Sequence, residues 1–249
     1  MVTISKLSKR YGSNPPVLQQ IDLAIEKGEF ISLIGPSGCG KSTLLKLISG
    51  LTGASSGSIL VDGMTPVNAR KTVSYIFQDA TLLPWRNVTR NVGLGLELEH
   101  VSREARKEKV QSLLELVGLT HVAQAYPRQL SGGMKMRVSV ARALATTPRL
   151  LLMDEPFGAL DEMTRDRLNE EVLRLRAEQN WTAVFVTHSV AEAVFLSTRI
   201  IVLAPSPGRI AQQIEIHLPF PRTSITRERG QFESYVTEVS RALRGVHSA

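Results

Sequence analysis

Residues 30–48 read FISLIGPSGCGKSTLLKLI, and three textures meet there. The run FISLI (30–34) is short, apolar and rich in β-branched residues, which suits a strand buried on both faces. GPSGCGKS (35–42) then fits the pattern G-x-x-x-x-G-K-[ST], and Leu44, Leu47 and Ile48 fall on one face of the helix that follows. Strand, glycine loop and helix N-terminus, in that order, are the context the pattern's mechanism requires. Gly35, Gly38 and Gly40, with Pro36, Ser37 and Cys39 between them, let successive N–H groups turn inward around an anion, and Lys41 reaches its outer oxygens. The Ser42 hydroxyl is placed to ligate Mg2+, with Thr43 beside it in the first helical turn. The expected ligand is a nucleoside triphosphate with its metal.

Similar short apolar runs occur at VSYIF (73–77), LLLM (150–153) and AVFVT (183–187), each leading into a polar turn. Together they predict an α/β fold, a P-loop NTPase core around a mostly parallel sheet. LLLMDEP (150–156) delivers two carboxylates at a strand's carboxyl end, where such sheets carry their sites. Asp154 suits a metal-binding carboxylate. Glu155 would point the other way along an extended backbone, but Pro156 signals that the strand has ended. Glu155 is then free to orient a water as general base. Leu168, Val172 and Leu175 share a helical face, and Ser189 with Glu192 has the spacing of a capping box. Residues 87–145 change to helical texture, with Val110, Leu113, Leu114 and Val117 at helical spacing. They predict a helical subdomain inserted into a domain spanning 2–222. Residues 223–249, after LPFPR, predict a tail of one surface helix.

The 249 residues are 43% hydrophobic and 21% charged, a globular balance with no stretch able to span a membrane. The N-terminus lacks the apolar core of a signal peptide, which predicts a cytosolic chain. The lone cysteine, Cys39, excludes an internal disulfide framework, and its place at a helix N-terminus predicts a favoured thiolate. A net charge of +7 favours an anionic partner. No basic run is interleaved with aromatics, so nucleic acid is not expected.

LSGGMKMRVSVARAL (130–144) places a serine and two glycines at a second helix start, without a lysine. With these motifs in order, the chain resembles the ATP-binding subunit of ABC transporters over nearly its whole length. The resemblance implies an antiparallel β edge on the core and ATP with Mg2+ as ligands. Gln78 would be the glutamine that helps ligate Mg2+ and the attacking water. Ser131, Gly132 and Gly133 would be the signature, GALD (158–161) with Asp161 the loop that crosses to a partner subunit, and His188 the histidine that contacts the γ-phosphate. Tyr11 would stack on adenine. It further implies a head-to-tail homodimer on ATP binding, in which one chain's signature closes over the other's ATP. The departure is Met134, Lys135 and Met136, where many members carry glutamines, while Arg137 is kept.

A single cassette without membrane segments implies separate permease subunits and an importer rather than a fused exporter. The permease would dock between residues 78 and 85, where Trp85 either forms an exposed apolar patch with Leu82, Leu83 and Pro84 or fills the helical core. ATLLPWRNVTRNVGLGLE (80–97) and LAPSPGRI (203–210) resemble the branch serving nitrate, sulfonate, taurine, bicarbonate and related small solutes, which a solute-binding protein would select. That places the chain peripherally on the cytoplasmic face of the inner membrane. The alternatives are a soluble ABC-type ATPase acting on nucleic acid or the ribosome, and the ATPase of a multi-subunit exporter. DNA-repair relatives carry a long coiled coil and translation factors two cassettes, and neither is present. A P-loop kinase or GTPase would leave the signature unexplained, and no N-K-x-D motif occurs.

Overall fold

All five residues of β3 (Phe30–Ile34) are buried, as an apolar run must be when a parallel sheet is covered on both faces. The computed structural model, which describes residues 1–247, pairs it in parallel with β7 (Thr182–Val186) on one side and β8 (Arg199–Ala204) on the other. Beyond β7 come β6 (Leu150–Asp154) and β5 (Val73–Ile76), both parallel, and β9 (Arg209–Glu215) closes the far edge antiparallel to β8. Ile76 pairs with Met153, Asp154 with Val186, and Leu33 also with Val186. The carboxyl ends of β5, β6, β7 and β3 therefore lie level, and their loops emerge along one crest. That crest is where open α/β sheets bind ligands.

A second, antiparallel sheet has the order β2–β1–β4, built from β1 (Val2–Lys9), β2 (Leu18–Ile25) and β4 (Ser56–Val61). It forms the expected antiparallel β edge. Leu18, Ile21, Leu23 and Ile25 of β2 are buried and alternate with exposed residues, as in a sheet solvated on one face. Helix α1 (Lys41–Ile48) packs Leu44, Leu45, Leu47 and Ile48 into the core shared by the two sheets.

Between β5 and β6 lie α2 (Val88–Val92), α3 (Leu94–Leu98), α4 (Arg103–Leu116) and α5 (Gly132–Ala145). Val110, Leu113 and Leu114 are the buried stripe of α4, the spacing that the sequence carries. Helices α2 and α4 begin on local caps: Asn87 accepts from the Arg90 N–H and Ser102 from the Ala105 N–H. Asn91, wholly buried, accepts from the Leu83 N–H and donates to the carbonyls of Leu83, Arg86 and Asn87, pinning the segment ahead of α2.

After β6 come α6 (Glu162–Gln179) and, following β7, α7 (Val190–Leu196). The tail holds a four-residue α8 (Ser224–Arg227) and then α9 (Gly230–His247), where one helix was expected. Residues 248–249 of that expected tail lie outside the described residues. Helix α9 buries Phe232 and Val239 in the main core beside α7 and β8. The joint is fixed by Arg222, 3% exposed, whose guanidinium donates to the carbonyls of Phe195 at 2.9 Å, Ser197 at 2.8 Å and Leu218 at 3.0 Å. The carbonyls of Phe195 and Ser197 close the C-terminal end of α7, the negative end of its dipole. Burial pulls the Arg222 pKa down to about 10.

Candidate functional site

Residues 35–40 carry the chain from β3 into α1, and their backbone admits only glycine at two of its turns. A Cβ on Gly35, at φ +155°, would meet the Leu203 carbonyl oxygen at 2.5 Å, and one on Gly40, at φ +97°, would meet Leu18 Cδ2 at 2.5 Å. Lys41 is 5% exposed, and its ammonium donates to the carbonyls of Gly35 at 2.8 Å and Pro36 at 3.0 Å. The cation is thus folded over the loop that precedes it, where an anion cradled by the loop would meet it. Cys39 corrects an expectation. Its side chain turns into the core rather than toward the loop's mouth, at 1% exposure, and burial pushes its thiol up despite Lys41 Nζ 3.8 Å away. Desolvation outweighs the helix N-terminus and the ammonium here. Its backbone N–H remains available to the loop.

At the next position Ser42 Oγ donates to Asp154 Oδ1 at 2.8 Å, joining the start of α1 to the end of β6. Tyr75 OH, from the neighbouring β5, donates to the other oxygen at 3.2 Å. Burial first, and then the Asp154 charge, push the Tyr75 hydroxyl well above its ordinary pKa, so it stays a donor. Sequence reading missed Tyr75. Its only signal was a polar-tipped aromatic in a strand one place before Ile76. The donor set is one hydroxyl and one carboxylate, both hard oxygen ligands, and the described residues hold no cluster of three or more acidic, His or Cys side chains. Such a sparse set fits Mg2+, which keeps waters and takes substrate phosphate oxygens as its remaining ligands.

Glu155 shows why strand termination matters. Strand β6 stops at Asp154, and Glu155 takes φ +50°, breaking the alternation that would have sent it to the opposite face. Its Oε1 accepts from His188 Nε2 at 2.8 Å, and its Oε2 accepts from Gln78 Nε2 at 3.4 Å. Gln78, Glu155 and His188 come from the ends of three adjacent strands. They line one cleft of about 450 Å3 together with Ser37, Gly38, Lys41 and Ser42. A phosphate chain on the loop would present its end to a carboxylate already oriented by an imidazole.

Ser131, Gly132 and Gly133 do not line that cleft. Ser131 caps α5, its Oγ accepting from the Met134 N–H at 3.2 Å, and Ser131 and Gly132 are exposed at the start of the helix. Asp161 likewise caps α6, accepting from the Thr164 N–H at 2.9 Å, and that bond with the Arg137 charge holds its carboxyl below the usual range. Tyr11 also lies outside the lining. It is 42% exposed under Lys9 Nζ, 4.6 Å from the ring centroid, whereas Val17 does line the cleft. Trp85 is 71% exposed, so it does not fill the helical core. It edges a groove of about 750 Å3 that is rich in cations, among them Arg90, Arg103, Arg106 and Lys107.

The Ser189–Glu192 capping box is only half formed. Ser189 Oγ accepts from the Glu192 N–H at 3.3 Å, but the Glu192 carboxylate takes the Thr187 hydroxyl instead of reaching back to the cap.

A family model described as ABC transporter matches residues 18–158 of the chain. The chain is 43% identical over 220 residues to the aliphatic sulfonates import ATP-binding protein SsuB of Bacillus cereus (strain ATCC 10987 / NRS 248), covering 88% of this chain and 86% of that protein. It is 41% identical over 236 residues to the uncharacterized ABC transporter ATP-binding protein MJ0412 of Methanocaldococcus jannaschii, covering 95% and 88% respectively. Among solved structures it is similar to a dimeric post-hydrolysis state of the ATP-binding cassette MJ0796 bound to ADP and Pi. That match has TM-score 0.81 and 31% identity and covers 88% of this chain and all of that one.

Proposed function

The chain belongs to the ABC transporter family, and on that basis we propose that it is the ATP-hydrolysing subunit energising an importer of aliphatic sulfonates or closely related small organic anions. The observation that carries the hydrolytic reading is the convergence of two hydrogen-bonded pairs, Ser42–Asp154 and His188–Glu155, on one cleft beside Lys41. Backbone N–H groups of residues 37–43 and the Lys41 ammonium bind the phosphates of ATP. Ser42 and Asp154 hold Mg2+, which when bound neutralises charge on the phosphate oxygens. Glu155 accepts the proton of the attacking water, His188 keeps that carboxylate aimed and contacts the γ-phosphate, and Gln78 helps place the water. Tyr11 takes the adenine from the rim.

The open helix start at Ser131, Gly132 and Gly133 serves the ATP of a second copy, so that two chains close head to tail over two nucleotides. Asp161 lies at that same junction. SsuB is named as an import protein, and the MJ0796 cassette is described as a dimer. Both support a homodimer acting for a permease. No helix among the described residues is long and apolar enough to cross a membrane, which supports peripheral attachment through separate permease subunits. Docking runs along 78–85 with Trp85 exposed, on the cytoplasmic face. The solute is selected elsewhere, by the permease and a solute-binding protein.

Glu155→Gln tests both levels of the reading. It keeps shape and the Asp154 site but removes the base, so ATP still binds while turnover falls by about 10²–10⁴. Cells relying on this chain then lose growth on an alkanesulfonate as sole sulfur source and keep growth on sulfate. Retained turnover contradicts the role of Glu155, and growth kept on the alkanesulfonate with turnover lost contradicts the solute.

A further inference from the structure

Glu192 is a buried carboxylate that no step above uses. It sits in the first turn of α7 at 5% exposure. Its Oε2 takes the Thr187 hydroxyl, and the same Thr187 oxygen accepts from the Ser189 N–H at 3.0 Å. Ser189 Oγ in turn accepts from the Glu192 N–H. The backbone is therefore tied down on both sides of His188 by one carboxylate.

The other carboxylate oxygen faces Arg165 of α6, with Nε at 3.5 Å from Oε1. Arg165 Nη2 donates to the Leu160 carbonyl at 3.0 Å, inside the loop 158–161. That loop is also what the start of α5 rests on, since a Cβ on Gly133 would lie 3.1 Å from Leu160 Cδ2 and 3.4 Å from the Ala159 carbonyl oxygen. The remaining charges near Glu192 are Arg227 of α8 and Asp166 of α6, paired with each other at 2.8 Å. A cavity of about 410 Å3 runs along this line of groups and touches Glu155 and His188 as well as Glu192 and Arg165.

We infer that Glu192 and Arg165 form a positioning bridge that sets His188, and through it Glu155, from the loop on which the α5 start rests. The bridge links the end of the chain proposed to serve a partner's nucleotide to the pair proposed to act on its own. This rests on the hydrolytic reading given above. An ion pair on a buried carboxylate is a poor device for stability, because apolar residues of similar volume often serve as well or better. Its use here is registry. His188 Nε2 must stay within hydrogen-bond reach of Glu155, and a small misplacement of such a pair costs far more in rate than in stability.

The test replaces both partners at once, Arg165→Met with Glu192→Met, in the full-length chain. The expected result is a melting temperature unchanged or raised, kcat lowered about tenfold or more, and KM for ATP within about twofold. The ring 15N resonances of His188, identified by their loss in His188→Gln, should move in the same variant without nucleotide. Glu192→Gln can still accept from the Thr187 hydroxyl and should keep kcat within about threefold of the parent. A double variant with kcat within about twofold of the parent and unmoved His188 signals overturns the bridge. Should the double variant not fold, Arg165→Gln, at a side chain 30% exposed, must still move those signals; unmoved signals there overturn it too. Turnover surviving in Glu155→Gln would instead overturn the hydrolytic reading, and the resonance measurement would still decide the bridge.

Discussion

The chain starts a helix from serine and glycine twice, at 35–42 and at 130–133, and the two starts could hardly be built more differently. The first is sunk between β3, β8 and β2, where neighbouring backbone and the Leu18 side chain leave no room for a Cβ at Gly35 or Gly40. It is also wired to its own chain, through Ser42 to Asp154 and across one cleft to Glu155 and His188. The second is exposed, and a Cβ on Gly132 would meet nothing within 4 Å. Its serine is spent on capping, and it lines no part of the cleft that holds Glu155 and His188. One start is a finished site; the other is an exposed surface, which on the proposed reading a second copy completes. That asymmetry is what a shared, two-chain site demands of each partner.

Alanine at the two kinds of glycine gives the largest contrast. Gly35→Ala should cost about 1–3 kcal/mol or more, since it forces a side chain into a left-handed, occupied position, and should abolish nucleotide binding. Gly132→Ala should leave thermal stability unchanged or raise it by up to about 1 kcal/mol, because glycine is the poorer helix former. Thermal melting with and without MgATP reads both. Equal losses at the two positions would erase the distinction between a finished and an open start.

A smaller effect is expected at Tyr75→Phe. Losing one hydrogen bond to Asp154 should cost about 1 kcal/mol and raise the Mg2+ concentration needed for half-maximal turnover severalfold, while nucleotide binding without metal stays unchanged. A variant with normal Mg2+ dependence would mean that Ser42 alone orients the carboxylate.

The smallest signal concerns Cys39. Because its pKa is raised, the thiolate is scarce at neutral pH, and the side chain is sealed in the core. Maleimide labelling of the folded chain should be much slower than that of a free thiol, with or without MgATP. Rapid labelling that MgATP blocks would restore the view of a thiol facing the phosphates.

What could be read from the sequence was whatever depends on local chemistry. Strand ends followed by Gly, Asp-Glu-Pro or His announced the crest, and Pro156 announced that Glu155 would leave the strand, as its φ of +50° bears out. The P-loop glycines announced both the loop and its tightness. What was hidden depends on tertiary neighbours. Glu192 has the spacing of a capping box, but Thr187 and Arg165, 27 positions upstream in a packed helix, compete for its carboxylate and win. Cys39 sits at a helix start, and only the packed core shows that it faces inward. Nothing local in LPFPR marks Arg222, yet it closes the end of α7 because unpaired carbonyls there need donors.

The central claim is that two chains share each site, and complementation tests it most directly. Lys41→Ala spoils a chain's own loop, while Gly132→Asp spoils only its helix start, by setting a carboxylate where a γ-phosphate is to rest. Gly132 is preferable to Gly133, whose Cβ would press on Leu160 of its own chain. The two variants are co-expressed with different tags, heterodimers are isolated through both tags, and trapped ATP is counted. Neither variant alone should trap nucleotide. The heterodimer contains one doubly damaged site and one intact site, and it should trap a single ATP per dimer. A heterodimer that traps none would mean that each helix start serves its own chain's nucleotide, and the shared site would be contradicted.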